Sequence, residues 1–240
     1  MRKRKLTRLG KLVLSVMAVC LAFGILFLIK PFMNRSSPVS QQTAGSAAVT
    51  AAPEDNAEYE SKKQINSDYI GHLRFESGLI DQDVVQSGDN EKYLNLSWDL
   101  KQDTQGAAFM DYRNILSDQN LIIYGHYVYY DVTKMFSPLE QLTDQKNYEA
   151  NKYISLELGD ETRKYVVTDV FYYEMDNESL EYYYTAYGSD YFTEYYAAVK
   201  EKDFYDTGES LTPDDHWISL QTCVRDHDEL REIVLARQIS

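Results

Sequence analysis

Three regions of different hydrophobic pattern follow one another along the chain. Residues Leu12 to Ile29 form eighteen consecutive positions without a charge, twelve of them Leu, Ile, Val or Phe, just long enough to cross a bilayer as a helix. Ser36 to Asn56 is rich in Ser, Ala, Thr and Gln and has no large apolar residue apart from two Val. Such a stretch cannot bury a core and predicts a tether. From about Tyr59 the pattern becomes short apolar runs separated by turn residues. Ile65 to Ile70 predicts the end of a short helix. Gly71 to Phe75 and Val84 to Val85 open a series of strands broken by Gly78, Gly88 and Asp89-Asn90. Phe109 to Tyr112 and Leu121 to Tyr124 predict two more, and Tyr153 to Leu158 with Lys164 to Tyr173 read as a hairpin around Gly159-Asp160. Phe192, Tyr195, Tyr196 and Val199 follow the i, i+3, i+4, i+7 spacing of an amphipathic helix over Ser189 to Lys202, expected to pack on the sheet. Trp217 to Thr222 and Ile233 to Ala236 are the last two strands expected. Many short strands and few helices predict a mainly β fold, a small barrel with helical additions.

Length and charge sharpen this picture. The 240 residues allow one membrane span and one domain of ordinary size. Arg2, Lys3, Arg4, Lys5, Arg8 and Lys11 precede the apolar run, and basic residues beside a span stay cytoplasmic. The expected organisation is a cytoplasmic tail over 1–11, a transmembrane anchor over 12–29, an extracellular tether over 30–58 and an exported domain over 59–240. A cleaved signal peptide is the competing reading, but it ends at a small-residue site, whereas this run ends at Lys30-Pro31-Phe32-Met33. Beyond residue 35 the chain keeps 16 of its 24 basic residues and all 38 acidic ones, a net charge near −22. That balance argues against nucleic acid or an anionic membrane surface as a partner of the domain, and is read as solubility.

Cys20 lies within the apolar run, so Cys223 is the single thiol of the exported part. It is a reactive thiol, one that pairs between molecules, or a buried inert residue. A nucleophilic thiol needs a nearby cation to hold its thiolate, and four histidines could serve. His227 is close in sequence, yet four residues along a strand span about 13 Å, too far unless the chain turns after Cys223. His216 adjoins Trp217 at a strand start and reads as a surface or stacking residue. His72 follows Gly71 with no polar neighbour that suggests catalysis. His126 follows an apolar run and a glycine, at the mouth of a strand where a loop begins and active-site residues are commonly carried.

Leu121-Ile122-Ile123-Tyr124-Gly125-His126, Leu220-Gln221-Thr222-Cys223 and Arg231-Glu232-Ile233-Val234-Leu235-Ala236-Arg237 resemble, in order and spacing, the three signature strands of sortases. Val84-Val85-Gln86, Asp89-Asn90 with Tyr93-Leu94, and Phe109-Met110-Asp111-Tyr112-Arg113-Asn114 resemble class B members. The likeness runs from about Asn66 to Ile239. It implies a sortase-like closed barrel of about eight strands, with an N-terminal helix and a helix inserted before the cysteine strand. It further implies Cys223 as nucleophile, His126 as general acid and base, and Arg231 as stabiliser of the oxyanion. An acyl transfer needs those three functions in any case. Arg225 and Arg237, the rival cations, read as surface charge. Thr222, Tyr124, Asn90 and Leu94 would line the substrate groove. Gln221 and Val224 depart from the family pattern, as does the loop after His126, Tyr127-Val128-Tyr129-Tyr130. The partners implied are surface proteins with a C-terminal sorting signal and an amine acceptor, either a cell-wall precursor or a pilin lysine. No metal or cofactor is implied. Two other classes stay open: a surface cysteine protease or wall hydrolase that releases an acid, and a tethered binding domain whose thiol is incidental.

Overall fold

The structure is a computed structural model and describes residues 53–175 and 183–240. The apolar run Leu12 to Ile29 and most of the expected tether lie outside the described residues. Among the described residues no helix is long and apolar enough to cross a membrane.

The elements in chain order are helix α1 (Pro53–Ile65), strands β1 (Tyr69–Phe75), β2 (Asp81–Val85), β3 (Ala108–Met110) and β4 (Asn120–Tyr124), helix α2 (Tyr148–Asn151), strands β5 (Tyr153–Glu157) and β6 (Thr162–Glu174), helix α3 (Ser189–Lys202), and strands β7 (Trp217–Val224) and β8 (His227–Gln238). The eight strands close a barrel in the order β1-β2-β3-β4-β7-β8-β6-β5. The pairs β2–β3 and β4–β7 are parallel and the rest antiparallel.

Successive side chains of a strand point to opposite faces, and that alternation sorts the core. Ile218 and Leu220 of β7 with Val234 and Ala236 of β8 turn inward onto Leu73, Val84, Leu121, Ile123 and Val167. Trp217 of β7 with Ile233 and Leu235 of β8 turn outward and meet Phe171 and Tyr173 of β6. This second apolar face would be wet without α3, whose Phe192, Tyr195 and Val199 cover it. Each large side chain so buried contributes roughly 1.5–3 kcal/mol. The helix spans Ser189–Lys202, the range its periodicity predicts. A 3-10 helix, Ser137–Thr143, packs against the end of β6, β7 and β8 and buries Leu139 and Leu142 there.

Boundaries differ from expectation most instructively at α1, β3 and β8. Helix α1 starts at Pro53, inside the stretch read as tether, and stops at Ile65 rather than near Ile70. It is a polar helix with Pro at its first position and Lys62 and Lys63 in its last turn, an arrangement that suits the helix ends but carries little apolar period. Strand β3 ends at Met110 rather than Tyr112. There Asp111 accepts the Arg113 N–H at 2.9 Å on its side chain and the Asn114 N–H at 3.0 Å on its carbonyl, a local turn that competes with extension. Strand β8 runs well past Ile233 to Ala236 because β6 and β7 pair with it on both sides.

Candidate active site

The site is built where β4 and β7 run side by side. Their parallel register pairs Tyr124 with Gln221, and the Gly125 N–H continues it to the Gln221 carbonyl at 3.0 Å. His126 and Cys223, each two residues beyond the Tyr124–Gln221 pair, therefore leave adjacent strands on the same face. Position 125 must be glycine, since a Cβ there would collide with the Phe136 ring. Phe136 in turn donates its N–H to the His126 carbonyl at 3.1 Å. The imidazole is fixed from the other side by the Leu94 carbonyl, 2.9 Å from Nε2. A carbonyl can only accept, so Nε2 carries the hydrogen and Nδ1 is the bare nitrogen of the neutral ring.

Cys223 is a free thiol, half-buried, and its antiparallel partner across β7–β8 is Arg231. Directly paired residues stand about 4.5–5.5 Å apart at Cβ. Arg231 Nη1 donates to the carbonyls of Leu230 at 2.7 Å and Asp228 at 2.8 Å, which braces the guanidinium against the turn. His126, Cys223 and Arg231 thus form a row across β4, β7 and β8, and all three line one cleft of about 590 Å³.

The rivals lie elsewhere. The chain does turn after Cys223, through a hairpin in which Val224 pairs with His227 and Asp226 takes φ +60°, so distance along a strand does not dispose of His227. Its direction does: the side chain is 56% exposed and sits 3.5 Å from Glu229, away from the cleft. His72 is held by Asp83 at 2.9 Å and Asp81 at 2.7 Å, and His216 by the Asp118 carbonyl at 3.1 Å. Arg225 donates to the Tyr127 hydroxyl at 2.8 Å and lies over that ring. Arg237 pairs with Glu209 at 2.6 Å opposite Trp217, the far end of β7.

The sortase domain family model matches residues 76–239 of this chain. The chain belongs to the sortase family. It is 29% identical over 187 residues to sortase B of Staphylococcus aureus, covering 76% of this chain and 75% of that protein. The solved Staphylococcus aureus sortase B-substrate complex superposes with a TM-score of 0.68 at 25% identity, over 77% of this chain and 86% of that one. A sortase B complexed with triglycine gives 0.69 at 26%, over 77% and 86%. This is a class B sortase, and hence a cysteine transpeptidase.

In this sortase the walls of the cleft are aromatic. Phe109 and Tyr124 pack with ring centres 5.2 Å apart, and Tyr173 and Tyr183 also line the cleft. Asn90 and Leu94 border the cleft. Thr222 borders it too, but its side chain is buried, and Oγ1 has no hydrogen-bond partner. Behind the wall Asp111 is wholly buried. Burial alone would raise its pKa, yet hydrogen bonds from Arg113, Tyr124 and Asn90 outweigh this and bring it down to about 2. Sequence reasoning did not single out Phe109, Tyr173, Met175 or Tyr183. Tyr173 was legible in principle, two positions from Phe171 on the outer face of β6; Tyr183 lies in a segment without periodicity. Tyr129, from the loop that departs from the family, packs on Tyr127 with ring centres 5.2 Å apart and lies within electrostatic reach of the row. Burial raises its phenol pKa, and so do Cys223 and Asp228, while Arg231 opposes them. Among the described residues no cluster of three His, Cys, Asp or Glu is placed to hold a metal ion.

Proposed function

We propose that this sortase cleaves a C-terminal sorting signal at a Thr carbonyl and passes the acyl group to a second amine. Cys223 Sγ attacks the carbonyl carbon, and Arg231 stabilises the oxyanion that develops. His126, its Nε2–H engaged with Leu94, takes the thiol proton on Nδ1 as Sγ attacks and gives it to the leaving amine as the C–N bond breaks, which leaves a thioester on Cys223. An incoming amine then loses its proton to His126 and displaces the thiol, restoring the enzyme with a new amide bond. Asn90, Leu94, Tyr124 and Thr222 contribute the donor wall. Residues 12–29 anchor the chain with its basic tail inside, which keeps the exported domain beside membrane-embedded substrates. The acceptor is a cell-wall precursor or a pilin lysine.

The observation that carries the reading is the row His126, Cys223, Arg231 in one cleft, nucleophile in the middle. The test is to incubate the protein with LPxTG-like and NPxTN-like peptides, with and without triglycine, and to analyse products by mass spectrometry. Transfer product that needs Cys223 supports the assignment. Acid product alone, unchanged by added amine, would make the chain a hydrolase.

A further inference from the structure

Asp111 is the most heavily hydrogen-bonded side chain near the cleft, yet it does not line it. Its carboxylate accepts from Asn90 Nδ2 at 3.0 Å and from the Tyr124 hydroxyl at 2.8 Å. From the opposite side Arg113 donates Nε and Nη2 to it, both at 2.8 Å. These contacts decide what the wall can offer. With Nδ2 on Asp111, Asn90 turns Oδ1 to the Tyr112 N–H at 3.0 Å, which locks the amide in one orientation. With its hydrogen committed to Asp111, the Tyr124 phenol can only accept from a ligand. Arg113 Nη2 also donates to the Tyr183 carbonyl at 3.2 Å, so the same carboxylate ties in the segment that brings Tyr183 to the cleft.

We infer that Asp111 is the positioning residue of the donor wall: through Asn90, Tyr124 and Arg113 it sets the hydrogen-bond pattern presented to the extended backbone of the donor peptide. The inference rests on the proposed reading of Asn90 and Tyr124 as donor-wall residues. A charged bidentate pair fixes geometry as well as energy. The ionised carboxylate is needed, because a neutral amide at 111 would offer one acceptor oxygen where five donors converge, the Arg113 N–H included.

The test is steady-state transfer by the full-length protein, with the better of the two donor peptides above and triglycine as acceptor. The variants are Asp111→Asn, Asn90→Ala, Tyr124→Phe and the double Asp111→Asn/Asn90→Ala. Asp111→Asn should raise the donor KM by about tenfold or more, the size of losing hydrogen bonds to a charged group, with kcat and the triglycine KM within about threefold. The double should be no worse than about twofold beyond Asp111→Asn, since both remove one arrangement. A purely structural role would lower the folded fraction and kcat together and leave donor KM alone. If Asn90→Ala and Tyr124→Phe raise the donor KM but Asp111→Asn does not, or if the double multiplies the single effects, the inference is overturned and the wall reading stands. If neither Asn90→Ala nor Tyr124→Phe moves the donor KM, both fall. Should Asp111→Asn not fold, Arg113→Gln loosens the same carboxylate from outside: a donor KM raised severalfold supports the inference, and an unchanged one overturns it.

Discussion

Glu232 follows Arg231 and is paired across β7–β8 with Thr222, on the inward face. It is 1% exposed, and its Oε1 has no hydrogen-bond partner. Burial, with a smaller push from Glu140, raises its pKa from 4.5 to about 8. An acid whose folded pKa is raised holds its proton in the native state while the unfolded chain has already released it. Stability is therefore greatest below about pH 4.5 on this account and falls as pH climbs to about 8, at about 1.4 kcal/mol per pH unit. The interval from 4.5 to about 8 amounts to roughly 5 kcal/mol at most, against a typical domain stability of about 5–15 kcal/mol. Glu232→Gln keeps the shape and removes the titration. Urea unfolding of parent and variant between about pH 5 and pH 9 should give curves that nearly coincide at the acid end and separate steadily, with the variant more stable by several kcal/mol above about pH 8. Curves that stay parallel across that range would mean that Glu232 is solvated or partnered in solution, and the reasoning would be refuted.

Three further outcomes follow from the same geometry. Arg231→Ala should lower kcat by about 10²–10³ with little change in KM, because the oxyanion exists only in the transition state. Arg231→Lys should recover part of this and Arg225→Ala or Arg237→Ala should stay within a few-fold; a costly Arg225 or Arg237 would move the oxyanion role. Gly106→Ala should cut activity well beyond its effect on folding: Gly106 has φ +64°, and a Cβ would strike the carbonyls of Tyr93 and Leu94 beside His126, loosening the acceptor that orients the imidazole. His72, its pKa raised first by Asp83 despite burial, contributes stability that is full below about pH 6.5 and lost as pH rises through its raised value. The Tm gap between parent and His72→Asn should accordingly be widest near pH 6 and shrink toward pH 9.

Much of the fold was legible because local pattern and tertiary role agree. Phe192, Tyr195 and Val199 recur at helical spacing and are the residues that cover the outer face of β6 and β8. Leu121 to Tyr124 is a continuous apolar run because β4 is covered on both faces. Where the two diverge, boundaries slipped. The polar start of β8, His227-Asp228-Glu229, has poor strand propensity, and it enters the sheet through the hairpin with β7, where His227 pairs with Val224. Helix α1 has a mostly polar exposed side, and it docks in part through Lys62 on Asp83 at 2.7 Å and Lys63 on the Tyr69 carbonyl at 2.6 Å, contacts no periodicity announces.

The site was less legible from periodicity than from motifs, and the reason is topological. His126 and Cys223 are almost a hundred residues apart, and they become neighbours only because β4 and β7 pair in parallel, a register that the apolar pattern of neither strand encodes. The choice between His126 and His227 shows the limit of chain-distance reasoning. The extended-strand argument against His227 assumed that β7 continues past Cys223, whereas it ends at a tight turn through Arg225-Asp226. Proximity along the chain is thus restored to His227, and still its ring faces solvent beside Glu229. What selects His126 is direction together with support: a glycine packed under a phenylalanine ring behind it, a carbonyl that holds Nε2, and a shared face with the thiol. A general base works through such preorganisation, so on the proposed assignment replacing Gly125 by Ala should cost activity even though His126, Cys223 and Arg231 remain.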